Sequence, residues 1–149
     1  MSNTFIVYVS TKTEPENMTV ARDIAIDSSR NNHGKGISGI LMGIGAHFLQ
    51  VLEGHSSVLD ELLDKIVKDD RHRDLRVLYR GKMEDRIFGR WSMGCVTPAS
   101  GDAGGEHCFD DIAAEIRAHC EDGRGSPERL KDLLIQIPKR LADREVAIS

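Results

Sequence analysis

Three side chains in this sequence have the hydrogen-bonding capacity to grip a flat polar ligand if the fold brings them together: Tyr8, Asn32 and Gln50. In FIVYVS, strand alternation puts Ile6, Tyr8 and Ser10 on one face and Phe5, Val7 and Val9 on the other. In HFLQVLEG, Phe48, Gln50 and Leu52 share a face, so an amide stands among apolar neighbours. An unpaired buried amide costs on the order of 1–3 kcal/mol, so Gln50 needs partners. Ile24, Ser28 and Asn32 recur at i, i+4 and i+8, which draws Asn32 into the inward stripe of a helix. Two readings of the cluster are open. One is ordinary paired structure, a core tyrosine with amides that satisfy backbone groups. The other is a site for a planar ligand whose edge offers both donors and acceptors.

The elements that must position these groups follow from the pattern of the chain. Thr4 to Ser10 reads as a strand, followed by the turn-prone TKTEPEN. A helical stripe runs from Met18 to Asn32, and Gly34 and Gly36 stop it. ISGILM (37–42) and HFLQVLEG (47–54) form two strands joined by a glycine-rich link at 43–46. Ser56 and Ser57 are the expected caps of a second helix with Leu59, Leu62, Leu63, Ile66 and Val67 inward, ending near Asp70 in the polar KDDRHRD. LRVLYRGKM (75–83) predicts a fourth strand and RWSMGCVT (90–97) a fifth. The order βαββαββ predicts an α+β fold, a ferredoxin-like five-stranded mixed sheet with both helices on one face and the first and third strands adjacent. Two C-terminal helices are expected to cover the other face. One runs from about Glu106 to Cys120. The second starts at Ser126-Pro127 and is ended or kinked by Pro138.

The chain of 149 residues has the length of one domain, with a net charge of −4 and 40% hydrophobic residues. Its Lys and Arg are dispersed among Asp and Glu, which argues against nucleic acid or an anionic membrane as partner. No leader-like or membrane-spanning run occurs, and three unpatterned cysteines suit a reducing compartment, so a cytoplasmic location is expected. There is no paired Cys/His spacing for a metal, no phosphate loop and no G-x-S-x-G elbow. Gly34-Lys35-Gly36 is explained as a helix stop.

With those residues placed, the sequence resembles the BLUF family, blue-light sensors that use flavin adenine dinucleotide. The resemblance runs from about Ile6 to Met93 through Y-V-S (8–10), S-R-N-N (29–32), G-I-S-G-I-L (36–41), F-L-Q-V-L-E-G (48–54), D-D-R-H (69–72) and R-I-F-G-R-W-S-M (86–93). It implies FAD held non-covalently, with FMN or riboflavin able to stand in, the ring slotted between the two helices. Tyr8 is then the photochemical electron and proton donor, and Gln50 the amide between it and the ring. Asn32, with Asn31 and Ser28 close by, holds the pyrimidine edge, and Ile24 and Ile66 sandwich the ring. Lys65, Asp69, Arg71 and His72 fall toward the ring edge and the ribityl-phosphate side. Trp91 and Met93 match the pair that exchanges places near the glutamine, and the resemblance does not choose between them. Met42-Gly43 and Lys65 depart from the family's usual aromatic and arginine.

The implied division is a flavin-binding photosensor at 1–97 and a linker with two helices at 98–149, in one compact unit. The implied function is photoreception without substrate turnover. No output domain is recognised in the chain, so signalling is expected through self-association or a separate protein partner, at the C-terminal helices or the sheet face they cover. The alternatives are a light-independent interaction module, a flavin-dependent redox enzyme, and a ferredoxin-like acyl-phosphate hydrolase, whose arginine-bearing phosphate loop is missing from the sequence.

Overall fold

The computed structural model describes residues 3–16, 20–44, 46–89, 92–96, 114–116, 118–119 and 127–141. Strand β1 (Asn3–Lys12) is buried on both faces along Thr4 to Ser10, as a strand between two apolar layers must be. Helix α1 (Val20–Asn32) ends where Gly34 and Gly36 adopt φ of 83° and 70°, the left-handed region open to glycine. Strands β2 (Ser38–Ile44) and β3 (His47–Gly54) form the hairpin, with Gly43 opposite Phe48 and Ile44 opposite His47. The glycine-rich link is therefore shorter than expected, because pairing with β3 carries β2 two residues beyond Met42. Helix α2 (Ser56–Val67), strand β4 (His72–Met83), strand β5 (Gly94–Val96) and helix α3 (Pro127–Leu141) complete the order.

The sheet runs β4-β1-β3-β2-β5. Its first four strands are antiparallel to their neighbours, and β5 lies parallel to β2 at the edge, so the sheet is mixed. The side chains of Phe5 to Val9 on β1 divide between two cores. Ile6 and Tyr8 join Ala21, Ala25, Leu41, Phe48, Leu52, Leu59 and Met93 beneath α1 and α2. Phe5, Val7 and Val9 join Ile40, Met42, Leu49, Val51 and Phe88 beneath α3, whose Leu130, Leu133, Leu134 and Ile137 are buried there. The α+β architecture and the C-terminal cover on the opposite face are those expected.

Four local expectations are corrected. The N-cap of α2 is His55, whose ring accepts from the Ser57 amide, and not Ser56 or Ser57. Strand β4 starts at His72 because the backbone of the polar cluster pairs with β1, Lys12 opposite His72 and Thr11 opposite Arg73. A register shift follows, with Asp74 at φ 55°, the geometry of a bulge. Strand β5 has three residues, and Met93 precedes it. Helix α3 does not end at Pro138 but runs on to Leu141. Proline forfeits one helical hydrogen bond there, and only a final turn follows it. The expected helix over 106–120 lies largely outside the described residues; the described ones, 114–116 and 118–119, are helical.

Candidate functional site

A cleft opens between α1 and α2 over the middle of the sheet, its empty volume about 320 Å³ including the part continuous with solvent. Its floor is Tyr8, Leu41, Phe48 and Gln50, its α1 wall Ile24 and Ser28, and its far side Ile66, Asp69 and His72. An apolar cleft with a few convergent polar groups is the usual form of a small-molecule site. The sheet register sets the floor: Tyr8 and Leu41 are the two cross-strand partners of Gln50. All three are buried.

The Gln50 amide donates from Nε2 to the Met93 sulfur at 3.1 Å. A thioether is a weak acceptor, so this bond holds the amide in place without committing it strongly. Met93 is thus brought to the glutamine, whereas Trp91 lies outside the described residues. Asn32, buried one helical turn beyond Ser28, donates from Nδ2 to the Ser92 carbonyl at 2.9 Å. Its Oδ1 has no hydrogen-bond partner, the sole buried side-chain polar atom in that position among the described residues. Leaving an acceptor dry costs free energy, so the site suits a ligand edge with an N–H. On this atom the residues present fit a flavin.

His72 is tied at both nitrogens. Nε2 lies 2.7 Å from the Ile66 carbonyl, which only accepts, so Nε2 carries a proton, and Nδ1 pairs with the Ser10 hydroxyl at 2.8 Å. The ring stands edge-on to Phe48, at 6.3 Å between centroids. Arg71 forms a clamp at the mouth, bonding Asp69 through Nε and Nη2 and reaching Asp27 of α1 through Nη1 at 2.9 Å. These bonds hold the Asp69 carboxyl below the usual carboxylate range against the opposing effect of burial, with the positive charge of Arg71 adding to them. The same bonds keep the guanidinium protonated. Burial, with the negative charge of Asp69 behind it, pushes the Tyr8 phenol far above its ordinary range. Tyr8 is therefore a neutral phenol over the whole physiological span.

Of the residues singled out from sequence, Tyr8, Ile24, Ser28, Gln50, Ile66, Asp69 and His72 line the cleft. Asn32 and Met93 are buried beside it, and Arg71 braces its edge. Asn31 and Lys65 are solvent-exposed on α1 and α2 and do not line it. Sequence reasoning did not assign Leu41, Phe48, Asp27 or Ser10 to the site. Phe48 was within reach, since alternation puts it on the face of Gln50. Leu41 and Asp27 depend on register and helix placement, for which a single sequence carries no signal.

Residues 4–94 match the family described as BLUF, sensors of blue-light using FAD. Over 90 residues the chain is 38% identical to photoactivated adenylate cyclase subunit alpha of Euglena gracilis and 37% identical to subunit beta of Euglena longa. Those alignments take in 59% of this chain but only 9% and 10% of the relatives, so the chain spans about a tenth of their length. Among solved structures it is similar to the dark state of BlrB, a BLUF protein, with a TM-score of 0.72 and 27% identity over 94% of this chain and 98% of that one. It is also similar to the photo-activated state of BlsA, with a TM-score of 0.70 and 25% identity over 99% of both chains.

Proposed function

Because the chain belongs to the BLUF family of blue-light sensors using FAD, we propose that it is a photoreceptor whose output is a rearranged hydrogen bond at Gln50, and not an enzyme. The observation that carries this reading is the floor of the cleft, where Tyr8 faces Gln50 across the strands and the Gln50 amide rests on the Met93 sulfur. The bound flavin would supply light absorption and a transient home for an electron. FAD is the form we propose, with FMN and riboflavin as stand-ins that share the ring. Ile24 and Ile66, on the two helices that line the cleft, would hold the ring between them, and Asn32 would offer its free Oδ1 to the ring's edge. Ser28 lines the cleft on that side, and Asn31 lies outside it on the exposed face of α1. Asp69, Arg71 and His72, with Lys65 further out, face the side where the ribityl chain leaves.

Tyr8 is the redox and proton partner in this scheme. Burial and Asp69 keep its proton on in the dark, so Tyr8 would start as a neutral phenol able to give a bound flavin an electron and, by way of Gln50, its proton, and to take both back in the dark. Gln50 is the bistable element. Its amide would exchange a weak bond to Met93 for a stronger one toward a bound flavin, and two satisfied arrangements a few kcal/mol apart are what a switch requires. Met93, and Trp91 two residues before it, would feel that change.

The same proposal divides the chain into a sensor at 1–97 and an extension at 98–149 packed as one unit, with α3 over the second sheet face. Output would pass to a protein partner or a second copy through that extension, by a soluble chain in the cytoplasm. Among the described residues no helix is long and apolar enough to cross a membrane. The test is the absorption spectrum of the flavin-loaded protein before and after blue light. We expect a red shift that reverses in the dark, and a yellow protein with an unchanging spectrum would defeat the reading.

A further inference from the structure

Glu53 lies three residues beyond Gln50 on β3 and is fully buried, yet it takes no part in the cleft. Strand alternation sends it to the opposite face of the sheet. There its carboxylate collects three donors. The backbone N–H of Ile87 bonds Oε2 at 2.7 Å, and the backbone N–H of Phe88 bonds Oε1 at 2.8 Å. The Ser38 hydroxyl also bonds Oε1, at 2.9 Å, and itself accepts from the Arg86 guanidinium at 3.3 Å. Both oxygens are thus used as acceptors, for which a carboxylate is suited and an amide is not.

Those bonds lie on the segment that links β4 to β5. Phe88 is fully buried in the core beneath α3, and Met93, five residues later, receives the Gln50 amide. One strand therefore grips one segment from both of its faces, through Glu53 at 87–88 and through Gln50 at Met93. We propose that Glu53 is a positioning residue for the switch: it anchors the segment so that the Met93 sulfur sits against Gln50, and it couples that contact to Phe88 and the α3 core. The proposal builds on the photoreceptor reading, but the position of Met93 can be measured without light.

The test uses the full-length, flavin-loaded protein with ¹³C-methyl-labelled methionine. In Glu53→Gln one oxygen becomes a donor that faces a backbone N–H, so the anchor opens. The Met93 methyl resonance in the dark should move from its wild-type position, and dark recovery from the red-shifted state should change by roughly threefold or more, the scale of losing one buried hydrogen bond. Ser38→Ala, which removes one of the three donors, should shift both readouts less and in the same direction. An unmoved methyl resonance in folded Glu53→Gln overturns the proposal, as does an unchanged recovery rate beside a displaced resonance. If Glu53→Gln does not fold, Ser38→Ala decides by the same two readouts. A wild-type protein with no red shift would remove the photoreceptor reading, while the methyl shift would still report whether Glu53 positions Met93.

Discussion

Tyr8, Gln50 and Asn32 divide the work by the strength of what each is bonded to. Tyr8 is locked as a phenol by burial, Gln50 is held by a weak thioether bond, and Asn32 keeps one acceptor free. In the proposed scheme, Tyr8→Phe removes the proton to be transferred and Gln50→Leu removes the amide to be rearranged. Each should abolish the light-induced red shift with flavin still bound, as read by difference spectra of the yellow protein. A normal photocycle in either variant would reassign its role. Asn32→Ala removes the free acceptor and the bond to Ser92. It should weaken flavin binding by about tenfold, the equivalent of one good hydrogen bond near 1.4 kcal/mol, measured by fluorescence titration with free flavin. The convergence of these three residues was legible in the sequence because strand and helix periodicity assign faces. The free Oδ1 was not, since it depends on which backbone carbonyl the Asn32 amide meets.

Elements meet closely at two places. Arg71, in the turn before β4, ties Asp69 after α2 to Asp27 on α1. The Asp27 arm is half in solvent and contributes little, so Arg71→Gln should cost about 1–2 kcal/mol at neutral pH, mostly through Asp69. Because Asp69 has a lowered pKa when folded, its contribution is complete above the ordinary carboxylate value of 3.8 and is lost as pH falls below it. Urea midpoints of wild type and variant should therefore differ at pH 7 and converge below about pH 4. The second place is Gly39, opposite Leu52 in the hairpin. A Cβ there would run into the Val51 carbonyl oxygen. Gly39→Ala should destabilise the fold by about 3 kcal/mol, the upper end of overpacking, in denaturant titration. The I-S-G and L-E-G motifs thereby acquire a shared cause: Ser38 bonds Glu53, and Gly39 lets the strands close.

For the molecule as a whole, the two cores put the cleft and the C-terminal cover on opposite faces of one sheet. Leu134 is fully buried in the core beneath α3 together with Phe88. Leu134→Ala should lower stability by about 2–5 kcal/mol, followed by thermal or urea unfolding. If α3 packs as one unit with the sensor sheet, that loss appears as a single cooperative transition. A separate early transition would instead mark α3 as an independent appendage.

By itself the sequence determined the element order, the two faces of β1 and β3, the inward stripe of α1 and the apolar stripe of α3. Each follows from a local period of two or 3.6 residues. It also marked Tyr8, Asn32 and Gln50 as polar groups on apolar faces. Only the tertiary structure decided that Met93 meets Gln50, that His55 caps α2 and that β4 reaches back to His72. The clamp from Arg71 to Asp27 and the three bonds that Glu53 receives were settled there too. These are contacts between residues distant in the chain or set by register. Periodicity assigns a side chain to a face but does not name the atom across from it.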